Sequence, residues 1–300
     1  MSYLTGGRDL LSFGTQPTEH AAPPLIMGAP AFNLDLGPGD PGGRRSPRAS
    51  ALRDELARTG RFCDLAGTLV ESTRIAALLG VEAVTGCDAL KSYITSARSP
   101  VVLHLATHGF FLHEPAPPAD NEAPETSLHS IDQLQRLARQ VEDPMIRSGV
   151  ALAGAETWRQ CTTTMDDAEN GILTAEEIAY LDLRRTALVV LSACDTGLGD
   201  IRLGEGVLGL RRAFHIAGAH TIVMSLWKVH DWATSELMGT FYENLIAGID
   251  RAGALRAAQL KLKNMYAHPY YWAAFICEGD PGPIRTTIRT TADDESVTPL

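Results

Sequence analysis

The sequence predicts an α/β fold, a three-layer sandwich in which a mainly parallel central sheet carries helices on both faces. A short and almost wholly apolar run rich in β-branched residues, Ala187 to Ser192, is typical of a strand buried on both faces. A second run of the same kind begins at Val101. Between the two runs, Thr174 with Glu177 three residues later is the pattern of a helix capping box. A strand, a crossover with a helix and a second strand form a parallel pair, which predicts that the two runs lie side by side.

Shorter segments precede the strand that begins at Val101. Apolar periodicity and the turn residues between apolar stretches predict them. In order they are a strand at Leu25 to Gly28, a mobile Pro/Gly/Arg-rich loop at Gly37 to Ser50, a helix from about Asp64 to Leu79, a strand at Val81 to Val84 and a helix at Asp88 to Ala97.

The same patterns predict the rest of the chain. His113 to Glu142 is long, acidic and proline-rich, and is predicted to be either a lid or a tolerated surface insertion, with a short helix at Ile131 to Val141. Pro281 to Leu300 has no core pattern and is predicted to be a loose tail. The elements between are a helix at Glu205 to Ala217, a strand at Thr221 to Leu226, helices at Ala233 to Ala247 and Ala252 to Met265, and a last strand at Tyr271 to Cys277.

Composition limits the class of protein. Hydrophobic residues make up 45% of the 300-residue chain, enough for a substantial core, and no apolar run approaches the length of a membrane span. The net charge of −10 argues against direct binding of nucleic acid, which needs a basic surface. The five cysteines form no C-x-x-C pair and no H-E-x-x-H motif occurs, so neither a metal nor a cofactor is predicted. The odd number of cysteines and the lack of a signal peptide favour the reducing cytoplasm.

A cysteine and a histidine follow the two apolar runs. Cys194 comes at the C-terminal end of the first run, and His108, followed by Gly109, stands at the C-terminal end of the second. In open α/β sheets this edge binds ligands, and an imidazole there can take the proton of a thiol or stabilise its thiolate. Taken alone, Cys194 also fits a small buried core residue. His104, four residues before His108 on the same face, is predicted to be a buried, hydrogen-bonded core residue.

Motifs along the whole chain form an ordered series. The two strand motifs read H-L-A-T-H-G-F-F and L-V-V-L-S-A-C-D-T-G, and others lie at Asp143 to Ala155, Gly171 to Leu183, Gly204 to Ala219, Ser225 to Thr234 and His268 to Asp280. This series resembles the CHAT domain, a caspase- and separase-like cysteine peptidase family. The resemblance extends from about Leu25 to about Asp280 and implies a caspase-like fold with His108 and Cys194 as the catalytic pair.

The resemblance implies a cysteine endopeptidase. Cys194 is expected to attack the scissile carbonyl, His108 to support the thiolate or protonate the leaving amine, and the backbone N–H groups of Gly109 and Cys194 to hold the oxyanion. No third catalytic residue is predicted. Acids near the pocket would favour a basic residue before the cut. Substrate contacts are expected from the residue after the nucleophile and from the end of the next strand: Asp195, Ser225, Trp227 and Asp231.

Two other functions remain compatible with the sequence: a catalytically silent caspase-like interaction or scaffold module, and a cysteine hydrolase or transferase that acts on a non-peptide substrate. The expected partners are a protein or peptide substrate and an activating protein partner or repeat domain, without direct contact to nucleic acid or a membrane. The chain is expected to divide into an N-terminal segment at 1–24 that is partial relative to the family, the caspase-like domain at 25–280 and a disordered tail at 281–300.

Overall fold

The structure, a computed structural model, describes residues 3, 13, 21–34, 47–112, 145–160, 169–195, 205–227 and 229–284. The strands in these ranges form one sheet of eight. They are β1 (Leu25–Pro30), β2 (Ala83–Gly86), β3 (Val102–Phe111), β4 (Ser148–Ala151), β5 (Ile172–Thr174), β6 (Leu188–Asp195), β7 (Thr221–Ser225) and β8 (Phe275–Gly279).

The order of the strands confirms the predicted mainly parallel sheet. The main path runs β2-β1-β3-β6-β7-β8, and β4 and β5 branch from β3. All pairs along this path are parallel except the last, because β8 is antiparallel to β7. The strands that carry His108 and Cys194 are adjacent, as predicted, and their pairing extends from Val102 opposite Leu188 to Gly109 opposite Asp195.

Helices cover both faces of the sheet. They are α1 (Pro47–Thr59), α2 (Ala66–Leu79), α3 (Lys91–Ser96), α4 (Ala155–Gln160), α5 (Ala175–Ala179), α6 (Glu205–Ile216), α7 (Asp231–Ile246) and α8 (Arg251–Met265). On one face α2, α7 and α8 bury side chains such as Ile75 and Phe241, and on the other α5 and α6 bury Ile178 and Phe214. The three layers therefore agree with the predicted sandwich, since both faces of the parallel strands are apolar and need cover.

A third apolar cluster lies beside the end of β3. Helices α1 and α4, strand β3 and the segments that follow β1 and α1 contribute to it. Its large side chains are fully or almost fully buried: Phe32, Leu52, Leu56, Phe62, Phe110 and Trp158. Because Phe110 belongs to β3, this cluster packs directly against the strand that carries His108.

The predicted capping box is confirmed. The Thr174 hydroxyl accepts the backbone N–H of Glu177 at 3.3 Å, and the Glu177 carboxylate accepts the backbone N–H of Thr174 at 2.9 Å. The two bonds satisfy N–H groups that the first turn of α5 cannot pair internally. The helix is short and ends at Ala179, and the crossover from β3 to β6 also contains β4, α4 and β5, which the sequence did not predict.

The predicted last strand at Tyr271 to Cys277 is wrong in its first half. Pro269–Tyr271 forms a 3-10 turn that the ring of His268 caps by accepting the backbone N–H of Tyr270. The strand proper, β8, begins only at Phe275. The aromatic residues of this turn and of the segment after it, Tyr270, Tyr271 and Trp272, give an apolar pattern that resembles a strand in sequence.

Three predicted boundaries in the first third of the chain also need correction. The end of the predicted loop at Gly37 to Ser50 is helical, because α1 begins at Pro47, and proline is well suited to the first turn of a helix. The predicted strand at Val81 to Val84 begins instead at Ala83, because Gly80 adopts a left-handed φ of 66° and Val81 donates its N–H to the last turn of α2. Similarly, α3 begins at Lys91 because residues 88–90 form the turn after β2.

The loop predicted at His113 to Glu142, with its helix at Ile131 to Val141, lies outside the described residues. Of the predicted tail, residues 281–284 are described, and there the carbonyl groups of Pro281 and Gly282 accept N–H groups from the start of α8. None of the helices in the described ranges is long and apolar enough to cross a membrane.

Candidate functional site

His108 and Cys194 are register partners in neighbouring strands. In the parallel pair of β3 and β6, residue 108 stands opposite residue 194 and Gly109 stands opposite Asp195. Neighbouring strands lie about 4.8 Å apart, and register partners lie on the same face of a sheet. The second-to-last pair of this ladder therefore brings the histidine and cysteine positions together at the C-terminal end of the parallel sheet.

The prediction that the strand ends at His108 is wrong, because β3 continues to Phe111. Its last four residues pair with β4 in antiparallel fashion, with His108 opposite Ala151 and Gly109 opposite Val150. Gly109 thus lies within the sheet between β4 and β6 and not in a turn. A side chain there would meet its neighbours only at ordinary van der Waals distances, the nearest being Ala193 at 3.5 Å, so packing does not require glycine at this position.

The His108 ring is held in a defined orientation. It is only 4% exposed, and its centroid lies 4.9 Å from that of Phe32 and 5.9 Å from that of Phe62. Its Nε2 lies 2.6 Å from the backbone oxygen of Cys63. A carbonyl oxygen can only accept, so Nε2 carries the hydrogen and Nδ1 is the lone-pair nitrogen of the neutral ring.

The carbonyl of Cys63 is a functional group that the sequence could not reveal. Any residue at position 63 would supply the same oxygen, so no side-chain pattern marks it. The thiol of Cys63 itself is exposed.

A pocket opens beside the register partners. Thr107 and Ser192, which come shortly before His108 and Cys194 in the chain, form part of its wall. Two of the described residues that line it are acidic and none is basic. The described lining residues are Leu65, Gly67, Thr68, Glu71, Thr107, Ser192, Val229, Asp231 and Thr234.

The two acids of the pocket differ in environment. Asp231 is exposed at the first position of α7, whereas Glu71 on α2 is only 2% exposed. Gly67 lets the starts of α2 and α7 approach, because a Cβ there would lie 2.4 Å from that of Asp231.

His104 lies behind the Glu71 carboxylate. Its Nε2 lies 3.1 Å from Oε1 of Glu71, and its Nδ1 lies 3.1 Å from the hydroxyl of Tyr242. Burial, together with the negative charge of Glu71, raises the pKa of Tyr242 well above its ordinary value. The prediction that His104 is a buried, hydrogen-bonded core residue is confirmed, since its side chain is fully buried.

The structure places the other predicted substrate residues as follows. Asp195 stands opposite Gly109 in the ladder. Ser225 is buried, and its hydroxyl donates to the backbone oxygen of Ala193 at 3.1 Å, which ties β7 to β6 just before Cys194. Trp227 packs against the core of the α2, α7 and α8 face. Asp231 lines the pocket, and of the other three, Ser225 and Trp227 do not belong to its described lining.

Within the described residues, no group of three or more histidine, cysteine, aspartate or glutamate side chains is arranged to hold a metal ion.

Comparison with known proteins assigns the family. The family model for the CHAT domain matches residues 1–280. Tetratricopeptide repeat protein 28 of Homo sapiens is 26% identical over 220 residues, which is 70% of this chain. The protein of the same name from Mus musculus is 33% identical over 111 residues, or 36% of this chain. The chain spans only 8% and 4% of the lengths of these two relatives. With a family match over most of its length and a mainly parallel sheet covered on both faces, the chain belongs to the caspase-like CHAT domain family.

Proposed function

We propose that this protein is a cysteine endopeptidase in which Cys194 is the nucleophile and His108 is the acid/base. The observation that carries the proposal is the register of β3 and β6, which sets the two positions side by side at the edge of the sheet where α/β proteins bind ligands. The bond from His108 Nε2 to the Cys63 carbonyl supports it, because a catalytic imidazole needs a fixed tautomer and orientation.

The proposed reaction uses Nδ1 of His108. This nitrogen takes the proton of the Cys194 thiol, and the thiolate forms a bond to the carbonyl carbon of the peptide. The N–H groups of Gly109 and Cys194 stabilise the oxyanion once substrate binding releases them from the ladder of β3 and β6. When the intermediate collapses, the C–N bond breaks and His108 returns the proton to the leaving amine. Water then attacks the thioester, gives its proton to His108 and releases the acid product and the free enzyme.

The test of this function is covalent labelling. A peptide that ends in an electrophilic group should modify the wild-type chain at Cys194, and a peptide library should be cleaved at defined bonds. Labelling without peptide cleavage would favour other acyl chemistry. The absence of both, in a folded protein, would favour a scaffold.

The charge of the pocket favours substrates that have a basic residue on the N-terminal side of the scissile bond. Glu71 and Asp231 are its only charged residues among those described, and both are acidic. Burial strengthens the attraction of Glu71 for a cation, since charges interact more strongly away from water. His104 Nε2 lies 3.1 Å behind the Glu71 carboxylate, within ion-pair distance.

Glu71→Gln should therefore reduce cleavage of basic substrates selectively. Two peptides that differ only in arginine or its neutral isostere citrulline before the cut separate charge from shape. We expect kcat/KM for the arginine peptide to fall about 10- to 100-fold, the value of one charged hydrogen bond, with little change for the citrulline peptide. Glu82→Gln, at an exposed position away from the pocket, is the matched control. Equal losses for both peptides would contradict a role for Glu71 in specificity.

We further propose that a tetratricopeptide-repeat region activates this domain. The proposal is supported by the two relatives, which are both named as tetratricopeptide repeat proteins and are much longer than this chain. A partner that binds the active arrangement of the site more tightly than the inactive one raises turnover, because it increases the fraction of molecules in the active arrangement. We expect a protein in which a tetratricopeptide-repeat region is joined to this domain to turn over peptide at least about tenfold faster than the domain alone. A tenfold change corresponds to a shift of about 1.4 kcal/mol in the equilibrium between the two arrangements. Equal and high turnover with and without that region would rule activation out.

A further inference from the structure

The segment that orients His108 is a short linker between α1 and α2. It contains Phe62 and Cys63, and residues 60–65 within it belong to no helix or strand. Cys63 contributes the carbonyl that accepts Nε2–H of His108, and the ring of Phe62 packs on the His108 ring. An irregular segment has no ladder of its own to fix its backbone, so another element must hold this carbonyl in place.

Glu156 holds the linker. This residue lies in the first turn of α4 and is only 2% exposed. Its Oε2 accepts the backbone N–H of Phe62 at 3.0 Å, although the two residues are far apart in sequence. The bond fixes the peptide unit immediately before the Phe62 carbonyl and Cys63.

The same residue also holds the other aromatic wall of His108. The backbone N–H groups of Glu156 and Thr157 donate to the carbonyl of Phe32 at 2.9 and 3.3 Å. The rings of His108, Phe32 and Phe62 contact one another, and Glu156 is bonded to both phenylalanines, to Phe32 through its backbone and to Phe62 through its side chain.

The Glu156 side chain is kept ionised. Burial alone would raise its pKa, but hydrogen bonds from Arg159, Gln160 and the Phe62 N–H outweigh burial, and the pKa is lowered. Arg159 donates to it from Nε at 2.8 Å and from Nη2 at 2.6 Å. An ionised acceptor binds an N–H more strongly than a neutral one, which makes the bond to Phe62 a strong constraint on the linker.

We propose that Glu156 is a positioning residue for His108: by fixing the Phe62–Cys63 linker and the Phe32 backbone, it sets the orientation and the tautomer of the imidazole. Glu156 does not touch the reacting atoms and acts only through the linker. The assignment rests on the proposed function in one respect, since its effect on turnover requires His108 to be catalytic.

The primary measurement is independent of catalysis. In protein with ¹⁵N-labelled histidine, the ring nitrogen shifts of His108 report which nitrogen carries the hydrogen, and the His108→Gln spectrum assigns the signal. Wild-type protein should show the Nε2–H form. Glu156→Ala should release the linker and give a mixture of tautomers. Glu156→Gln retains an oxygen that can accept the Phe62 N–H and should restore most of the wild-type signal.

Thr174→Ala is the control for a general loss of stability. It removes the capping box of α5, on the opposite face of the sheet from His108, and should leave the His108 tautomer unchanged. With a cleavable peptide, Glu156→Ala should lower kcat about 10- to 100-fold while KM changes little, because a misplaced catalytic group slows chemistry more than it weakens binding.

The possible outcomes are distinct. A folded Glu156→Ala protein whose tautomer and kcat match those of Thr174→Ala would overturn the inference. If Glu156→Ala does not fold, Glu156→Asp decides, because its shorter side chain withdraws the carboxylate from the Phe62 N–H. A mixture of tautomers then supports the inference, and a spectrum and a kcat identical to wild type contradict it. Altered tautomers in a protein that cleaves no peptide would support the positioning role and reject the peptidase.

Discussion

Cys194→Ala should abolish peptide cleavage. The substitution removes only the sulfur from a position within β6, so the sheet should remain intact and the free energy of unfolding should change little. Without a nucleophile no thioester forms, and we expect kcat to fall by about 10⁴-fold or more. The measurements are turnover of a peptide cleaved by the wild-type chain and mass spectrometry after treatment with the electrophilic probe.

Cys63→Ala and Cys87→Ala are the matched controls. Both thiols are exposed. Cys63→Ala is the more informative because it retains the backbone carbonyl that accepts Nε2–H of His108, and it should remain active. Full activity in Cys194→Ala would reject Cys194 as the nucleophile. Loss of wild-type activity on addition of a chelator would reject it too.

Arg251→Met should cause the largest loss of stability. The side chain is fully buried, and its guanidinium donates to the backbone oxygens of Ala187, Asp280 and Pro283 and to the hydroxyl of Thr221. It thereby joins the starts of β6 and β7 to the end of β8. Burial lowers the pKa of Arg251, so these bonds are what stabilise the charge inside the protein.

Methionine fills a similar volume but makes none of these hydrogen bonds. We expect the free energy of unfolding to fall by about 3–5 kcal/mol, measured by urea titration with circular dichroism. Arg256→Met, at an exposed position of the same helix, should change it by no more than about 0.5 kcal/mol. Similar losses in the two variants would show that the bonds of Arg251 contribute little.

The parallel strands and the helices between them could be predicted because short stretches of sequence carry the pattern of each. The runs at Ala187 to Ser192 and from Val101 are apolar on both faces, and Gly80 marks the end of α2. β4 and β5 were missed because they have only four and three residues, too few for a periodic pattern. α1 was missed because a Pro/Gly/Arg-rich stretch leads into it.

Some residues of the candidate site could likewise be predicted from the sequence, and others could not. His108 and Cys194 follow apolar strands, so their chemistry is visible in the sequence, and the pairing of the strands brings them together. The Cys63 carbonyl and the carboxylate of Glu71 reach the site from the linker before α2 and from α2 itself. These contacts depend on tertiary packing between segments distant in sequence, for which no single stretch carries a pattern.

The pairing of β3 with β6 has a consequence during synthesis. The edge of β3 that will receive β6 is formed long before β6 exists, since Val102 to Gly109 pairs with Leu188 to Asp195. At about 5–20 residues per second, the ribosome needs roughly 4 to 20 seconds to supply the missing strand. Throughout that interval the nascent chain presents an apolar, unpaired strand edge, the kind of surface that aggregates. The pairing of β3 therefore cannot be completed until β6 has been synthesised, and the exposed edge is a site where aggregation competes with folding.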